Sequence, residues 1–420
     1  MPTLQTAIEA IDQGEIKEGL ALLKQLRDKS DHETLLEIAQ LYYELGFIEE
    51  AIDVTEELIA FYPDVNELKV FAAELNVEVD REEEALDLLS TIHSEDAEYL
   101  QAMLLSADLY ERQGLAEVAE QKLLEAKRHA PNEPVVSFGL GEFYLFQGNF
   151  HRGVLYYQEL YEQGIKEMNG ISVLLRLAES LSGSGAFEEA LRFYEEGINE
   201  ETNPDAWFGY GLTATRVEEY QKAINAFNRL KDLDPQYTTL YPLLAKAYEE
   251  EGANKEAVET YLEGIRLDEF NEDLYLQAGR LALRMNDFEK GEELLKHTLS
   301  INPANSDACL AIMTFYATEE RYEELIDLGI EVERYGDIDH ESNWRIAQAY
   351  RELENDEIAI KRYETAYNGL NDRVEFLEDY GTYMLEIGQR NEAIALYKRA
   401  LDIDPSLTQL EDEIMRLNDE

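Results

Sequence analysis

An all-α chain of stacked helix pairs is the fold class this sequence predicts, and three observations carry it. A pattern of small and aromatic residues recurs about every 34 residues along nearly the whole chain. Between these landmarks apolar residues fall at helical spacing, as in Leu100, Leu104, Ala107 and Tyr110. No sustained period-two alternation appears, so strands are not predicted.

The first column pairs a small residue with an aromatic or Leu four positions later. Ala85/Leu89, Ala119/Leu123, Gly153/Tyr157, Ala190/Tyr194, Ala223/Phe227, Ala257/Tyr261, Gly291/Leu295, Ala359/Tyr363 and Ala393/Tyr397 fall into line. Ala51 and Leu325 share the column with weaker followers, Thr55 and Gly329. A second small column lies upstream, in Ala39, Ala73, Ala107, Gly141, Ala178, Gly211, Ala245, Gly279, Ala347 and Gly381. Three residues beyond it stand Tyr42, Tyr110, Tyr144, Tyr248, Tyr316 and Tyr350, followed by a turn column of Gly46, Gly114, Gly148, Gly185, Gly252 and Gly388. Many units close with Pro: Pro63, Pro131, Pro235, Pro303 and Pro405.

Each column has a physical reason. The turn Gly ends the first helix in a left-handed conformation that Gly adopts most cheaply. Pro ends the second helix because it cannot continue one. The small columns are expected to face each other where paired helices cross, and the aromatics to fill space between one unit and the next. About twelve units follow, at 1–31, 32–65, 66–99, 100–133 and 134–163, then 171–203, 204–237, 238–271, 272–305, 306–339, 340–373 and 374–406. A longer junction occupies 164–170.

Departures mark the expected weak joints. The third unit lacks a turn Gly, reading Leu75-Asn76-Val77-Glu78-Val79-Asp80, and the tenth puts Met313 and Leu325 where small residues belong. Altered helix packing is expected there, and a change of stacking direction near Gly164–Gly170. Leu407, Leu410, Ile414 and Leu417 form one apolar stripe, which predicts a solvating C-terminal helix over 407–420. At the other end Ala7, Ile8 and Ile11 begin the first pair directly, with no basic n-region and apolar run of a signal peptide before them.

Charge narrows the partners. Asp+Glu 91 against Lys+Arg 36 gives a formal net charge of -55, yet 45% of residues are hydrophobic, so a core rather than disorder is expected. Neighbouring exposed carboxylates at ~4 Å repel by about 1 kcal/mol in water, and an elongated shape spreads that repulsion. Such a surface opposes nucleic acid and anionic membranes. Protein or peptide partners are expected, with basic segments favoured. The lone Cys309 rules out an intrachain disulfide and suits a reducing cytosol, as a buried, inert thiol. No apolar run approaches the ~20 residues that span a bilayer.

Catalytic constellations are not found. The six histidines, His32, His93, His129, His151, His297 and His340, show no zinc spacing, so no metal is expected. Gly139-Leu140-Gly141 and Gly183-Ser184-Gly185 follow no strand and contain repeat-column residues, so they are read as packing. Asp232/Asp234 and Asp402/Asp404 lack the remaining calcium ligands. Neither a cofactor nor enzymatic activity is expected.

The small–Tyr–Gly–Ala–aromatic–Pro order resembles the tetratricopeptide repeat family, and its acidity and length resemble cytosolic members of Gram-positive bacteria. The resemblance implies a right-handed α-solenoid superhelix whose first helices line a concave groove. It places partner-binding positions at Tyr43, Leu104, Arg112, Phe138, Phe146, Phe208, Leu212, Arg216, Lys246, Leu276, Arg280, Arg284, Trp344 and Arg351. Aromatics and Arg dominate binding hot spots. Arg216, Lys246, Arg280 and Arg284 form a basic run that could receive an acidic or C-terminal segment, the alternative being pairing with nearby carboxylates. The family's carboxylate-clamp pattern for chaperone tails is not present. A scaffold or adaptor is therefore expected, with a peptide-sensing regulator or an accessory enzyme subunit as alternatives.

Overall fold

Twelve helix pairs and a thirteenth segment follow one another along the chain in the computed structural model, which describes all residues except 1–2, 28–30, 200–202, 337 and 420. The pairs are α1 Leu4–Asp12 with α2 Ile16–Arg27, α3 His32–Glu44 with α4 Ile48–Phe61, and α5 Asn66–Glu78 with α6 Glu82–Ser90. Next come α7 Tyr99–Arg112 with α8 Ala116–His129, α9 Pro134–Phe146 with α10 Phe150–Glu162, and α11 Val173–Gly183 with α12 Phe187–Gly197. These form one compact unit, residues 1–200.

The second unit, 201–420, holds α13 Pro204–Arg216 with α14 Tyr220–Leu233, α15 Leu240–Glu250 with α16 Asn254–Leu267, and α17 Glu272–Arg284 with α18 Phe288–Ile301. It continues with α19 Ser306–Thr318 and α20 Tyr322–Glu333, α21 His340–Glu352 and α22 Asp356–Leu370, and α23 Val374–Glu386 and α24 Arg390–Ile403. Last is α25, Thr408–Asp419, whose Ile414 and Leu417 bury against Tyr397 of α24. The chain is thus an all-α solenoid.

One residue makes every within-pair turn. Gly14, Gly46, Gly114, Gly148, Gly185, Gly252 and Gly388 all have positive φ, and so do Asp80, Glu218, Asn286, Glu320 and Glu354 at the equivalent places. The missing turn glycine of the third unit is therefore not a missing turn: Asp80 adopts φ 58°. The amide after the turn residue bonds back across it, as Phe47 N–H to the Tyr42 carbonyl at 2.8 Å and Asn355 N–H to the Tyr350 carbonyl at 2.9 Å. That six-to-one bond satisfies an otherwise orphaned carbonyl and compels the left-handed residue whatever its side chain. Several first helices start on side-chain caps, such as Asp31, Asn203, Asn271 and Asp339.

The aromatic followers work differently from the sequence expectation, while the small columns do meet within a pair, a Cβ on Gly153 lying 3.7 Å from the Gly141 carbonyl oxygen. A Cβ on Gly141 would come 2.7 Å from the ring of Tyr157, on Gly211 2.6 Å from Phe227, and on Gly381 2.4 Å from Tyr397. The aromatic follower therefore fills the space inside its own pair, not between pairs. In the first column Gly153 makes room for the next pair: a Cβ there would stand 3.1 Å from Ser180 Oγ. In the tenth pair Met313 and Leu325 are both fully buried, and Gly329 supplies the missing room. A Cβ there would lie 2.5 Å from Ile346 Cδ1.

A further correction concerns the 164–170 junction, which lies within the first unit. Glu167–Met168 and Ile171–Ser172 pair as an antiparallel hairpin, β1 and β2, where no strand is expected. Asn169 and Gly170 carry φ 52° and 77°, the two positive values of a tight hairpin turn. Ile165, Met168 and Ile171 pack on the core of Leu160, Val173 and Leu177.

Candidate partner-binding face

First helices carry all fourteen positions that the family resemblance implies, and depth varies systematically along them. The column three residues before the small column points inward. Phe138, Leu276 and Trp344 are buried, at 7%, 5% and 5% exposure, while Leu104 and Phe208 are half-buried. Phe138 meets Tyr157 edge-on at 6.3 Å, Leu276 packs with Ile312 and Met313, and Trp344 gives its Nε1–H to Asp379. These three hold the helices together, and the binding role expected of them is corrected on that ground. Phe208 lies tilted beside Tyr237 at 5.2 Å, and Leu212 is also half-buried.

The column five residues after the small column points outward. Arg112, Phe146, Arg216 and Arg284 are exposed, Phe146 to 79%. Tyr43, four residues after Ala39, is exposed as well and sits edge-on to Phe71 at 6.0 Å.

The basic run is largely consumed by the chain's own carboxylates. Lys246 pairs with Glu250 at 3.0 Å, Arg280 with Asp307 at 2.7 Å, and Arg284 with the nearly buried Glu249. Arg216 makes no ion pair among the described residues. Arg351 lies between Asp379, at 3.0 Å, and Glu386. These cations are therefore partly neutralised in place and do not form a bare basic strip.

The same economy recurs between second helices. Arg27 pairs with Glu57 at 3.2 Å, Arg81 with Glu49 at 2.7 Å and Lys127 with Glu159 at 2.7 Å. Lys231–Glu263 and Arg362–Glu333 repeat the bridge further along. Exposed pairs of this kind contribute roughly 0–1 kcal/mol each. Their larger effect is on charge, because scarce cations are tied into the stack and unpaired carboxylates are left to face solvent.

Shifted titrations trace to structural links. Burial raises the Tyr144, Tyr157, Tyr261 and Tyr363 hydroxyls well above the usual phenol range, reinforced by carboxylate acceptors Glu120, Glu142, Glu249 and Asp379 respectively. Burial opposes ionisation of Glu292, but hydrogen bonds from Arg321, Lys296 and Tyr316 outweigh it and bring the carboxyl down to about 2. Cys309 is buried as the sequence expects, and burial pushes its thiol up to about 11. No group of three or more His, Cys, Asp or Glu suited to a metal ion occurs among the described residues. No helix among them is long and apolar enough to cross a membrane.

Sequence reasoning missed a groove in the first unit between α3, the end of α4 and the start of α5. Most of its lining comes from the first helices α3 and α5, and Tyr62 and Val65 of the loop between α4 and α5 complete it, outside the first-helix columns. The adjacent Phe61-Tyr62 before Pro63 was the available signal, because two large aromatics border a turn.

Comparisons with known proteins give a consistent likeness. The YpiA-like tetratricopeptide repeat profile matches residues 112–165, and that of the YpiA-like C-terminal tetratricopeptide repeats matches 341–406. General tetratricopeptide repeat profiles match 175–238, 239–271 and 272–305, and the tetratricopeptide repeat protein 21 ARM-repeat profile matches 1–114. The TPR repeat-containing protein YpiA of Bacillus subtilis (strain 168) is 42% identical over 417 residues, covering 99% of this chain and 98% of that protein. TPR repeat-containing protein MJ1428 of Methanocaldococcus jannaschii is 26% identical over 168 residues, covering 38% and 30% respectively. The crystal structure of the C-terminal part of a TPR repeat-containing protein from Cytophaga hutchinsonii aligns with TM-score 0.43 at 14% identity, over 65% of this chain and 97% of that one.

Proposed function

The chain belongs to the YpiA-like family of tetratricopeptide repeat proteins, and on that premise we propose that it is a non-catalytic scaffold or adaptor that holds partner proteins or peptide segments. The contact surface in this reading is the face lined by the first helices. Stacked repeats present extended surfaces, and families built from them use those surfaces for recognition. The observation that carries the reading is the outward column. Phe146 stands 79% exposed on the first helix α9. Phe146 shares that outward column with Arg112, Arg216 and Arg284, and aromatic and Arg side chains are the types that dominate binding hot spots.

Two further observations support it. The shifts of Tyr144, Tyr157, Tyr261, Tyr363 and Glu292 are explained by ties between helices, and these groups do not converge on one another among the described residues as an active-site set would. Intramolecular pairing of the cations leaves carboxylates in excess on the surface, which steers basic partners toward it. The reading places the protein in the cytosol, where the Cys309 thiol stays reduced.

Lysine crosslinking of the full chain in native cells, followed by mass spectrometry, tests this. Lys69 and Lys246 sit on first helices, and Lys361 on the second helix α22. The reading expects a reproducible partner crosslinked through Lys69 or Lys246. Crosslinks confined to Lys361 and other second-helix lysines would contradict it.

A further inference from the structure

The groove between α3, the α4 terminus and α5 encloses about 440 Å³, within the range of roughly 300–1,000 Å³ typical of ligand clefts. Its floor is apolar, made by Leu36, Leu58, Leu68 and Phe71. Its rim is aromatic and open: Tyr62 is 43% exposed and Val65 39%. That rim is also held in place. His32 Nδ1 hydrogen-bonds the Tyr62 hydroxyl at 2.5 Å, and the imidazole stacks on Phe61 with centroids 4.6 Å apart. A surface ordered before binding loses little entropy when it is occupied.

Charge at the mouth decides what fits. Glu33 and Glu67 line it, both exposed, and no Lys or Arg lines the groove among the described residues. An acidic segment would meet like charge over an apolar floor. A second copy of this chain carries the same net charge of -55 to the same mouth. The complement is a segment that is apolar at its centre and basic at its flanks.

We infer that this groove receives a short basic amphipathic segment of a partner protein. One or two large apolar side chains enter the floor, and flanking Lys or Arg groups meet Glu33 and Glu67. This rests on the scaffold reading and names the chemistry of one of its partners.

The test pans a phage library of random peptides of about twelve residues on the full chain. Enriched sequences are then synthesised and titrated by fluorescence anisotropy. Enrichment of a large apolar residue flanked by Lys or Arg is expected. Affinity should fall about tenfold or more in Glu33→Lys/Glu67→Lys and in Val65→Glu, a loss of about 1.4 kcal/mol or more, and survive in Val65→Ile. All three positions are exposed, and circular dichroism melts check that each variant folds. Enriched peptides that are acidic, or affinities unmoved by these substitutions, overturn the assignment. Binding that ignores Val65→Glu but is lost in Phe146→Glu sinks the groove and leaves the scaffold reading standing. A dimer in sedimentation that Val65→Glu dissociates assigns the groove to a second copy and equally overturns it.

Discussion

Trp344 donates its indole N–H to Asp379 Oδ2 at 2.5 Å, from α21 to α23, the first helices of consecutive pairs. The same oxygen accepts from Gln348 Nε2 at 3.0 Å and from the Tyr363 hydroxyl at 2.8 Å, while Oδ1 accepts from Arg351 at 3.0 Å. One carboxylate thus satisfies four donors from the preceding pair. Asp379→Ala should cost about 2–4 kcal/mol, because it orphans a buried indole and a buried phenol together and takes one of the two carboxylates from Arg351, which keeps Glu386. Urea denaturation with hydrogen exchange over α21–α23 checks this. A loss under about 0.5 kcal/mol would show that the network is not holding the seam.

The turn column yields a prediction of opposite signs. Glu354 and Gly252 occupy equivalent left-handed positions, at φ 55° and 74°. A non-glycine residue pays roughly 1 kcal/mol or more there, offset partly by the greater freedom that Gly has when unfolded. Glu354→Gly should therefore raise stability by about 0.5–1 kcal/mol, and Gly252→Ala should lower it by about 1 kcal/mol. Nothing lies within 4 Å of a Cβ built on Gly252, so backbone strain alone is measured. Paired thermal melts decide it, and a stabilising Gly252→Ala would refute the account of the turns.

Gly141→Ala isolates packing from propensity. Inside a helix the change normally gains about 1 kcal/mol. Here the new methyl would sit 2.7 Å from the ring of Tyr157, which is fully buried and cannot swing away. Overpacking of this kind costs roughly 1–3 kcal/mol, so net destabilisation is expected. A higher melting temperature for the variant would mean that the seam gives way more easily than its geometry implies.

Glu292 sets an acid limit. Its folded carboxyl sits near 2, below the ordinary value of 4.5, so the stability it contributes is present above about pH 4.5. That stability disappears as pH falls from about 4.5 to 2. Arg321 and Lys296 stay partly solvated, so the contribution is discounted to roughly 1–2 kcal/mol. Glu292→Gln should lower stability at pH 7 by about that amount and match wild type near pH 2. Urea midpoints across this range measure it, and a constant gap at both pH values would remove Glu292 from the acid response.

Much of the fold was legible because each repeat column answers to one steric demand, repeated often enough to be seen. Gly141, Gly211 and Gly381 recur since each faces a ring that leaves no room for a methyl. The hairpin at Glu167–Ser172 escaped because its strands are too short to alternate, and Asn169-Gly170 alone carried the signal. Site depth was less legible. Phe138, Trp344 and Phe208 share a column, yet only the first two are buried. Phe208 has its follower ring Phe227 at 6.2 Å just as Phe138 has Tyr157 at 6.3 Å, so position in the column does not set depth. The Glu33–Glu67 groove escaped for another reason, because the loop that completes it has no column.

Phe146 and Leu155 form a natural matched pair in the first unit. They are 79% and 66% exposed, one on the first helix α9 and the other on the second helix α10. Replacing each in turn with a photocrosslinking phenylalanine and irradiating living cells asks which side the partners occupy. The account predicts discrete high-mass adducts from position 146 and none of matching identity from position 155. Adducts from 155 with 146 silent would contradict it.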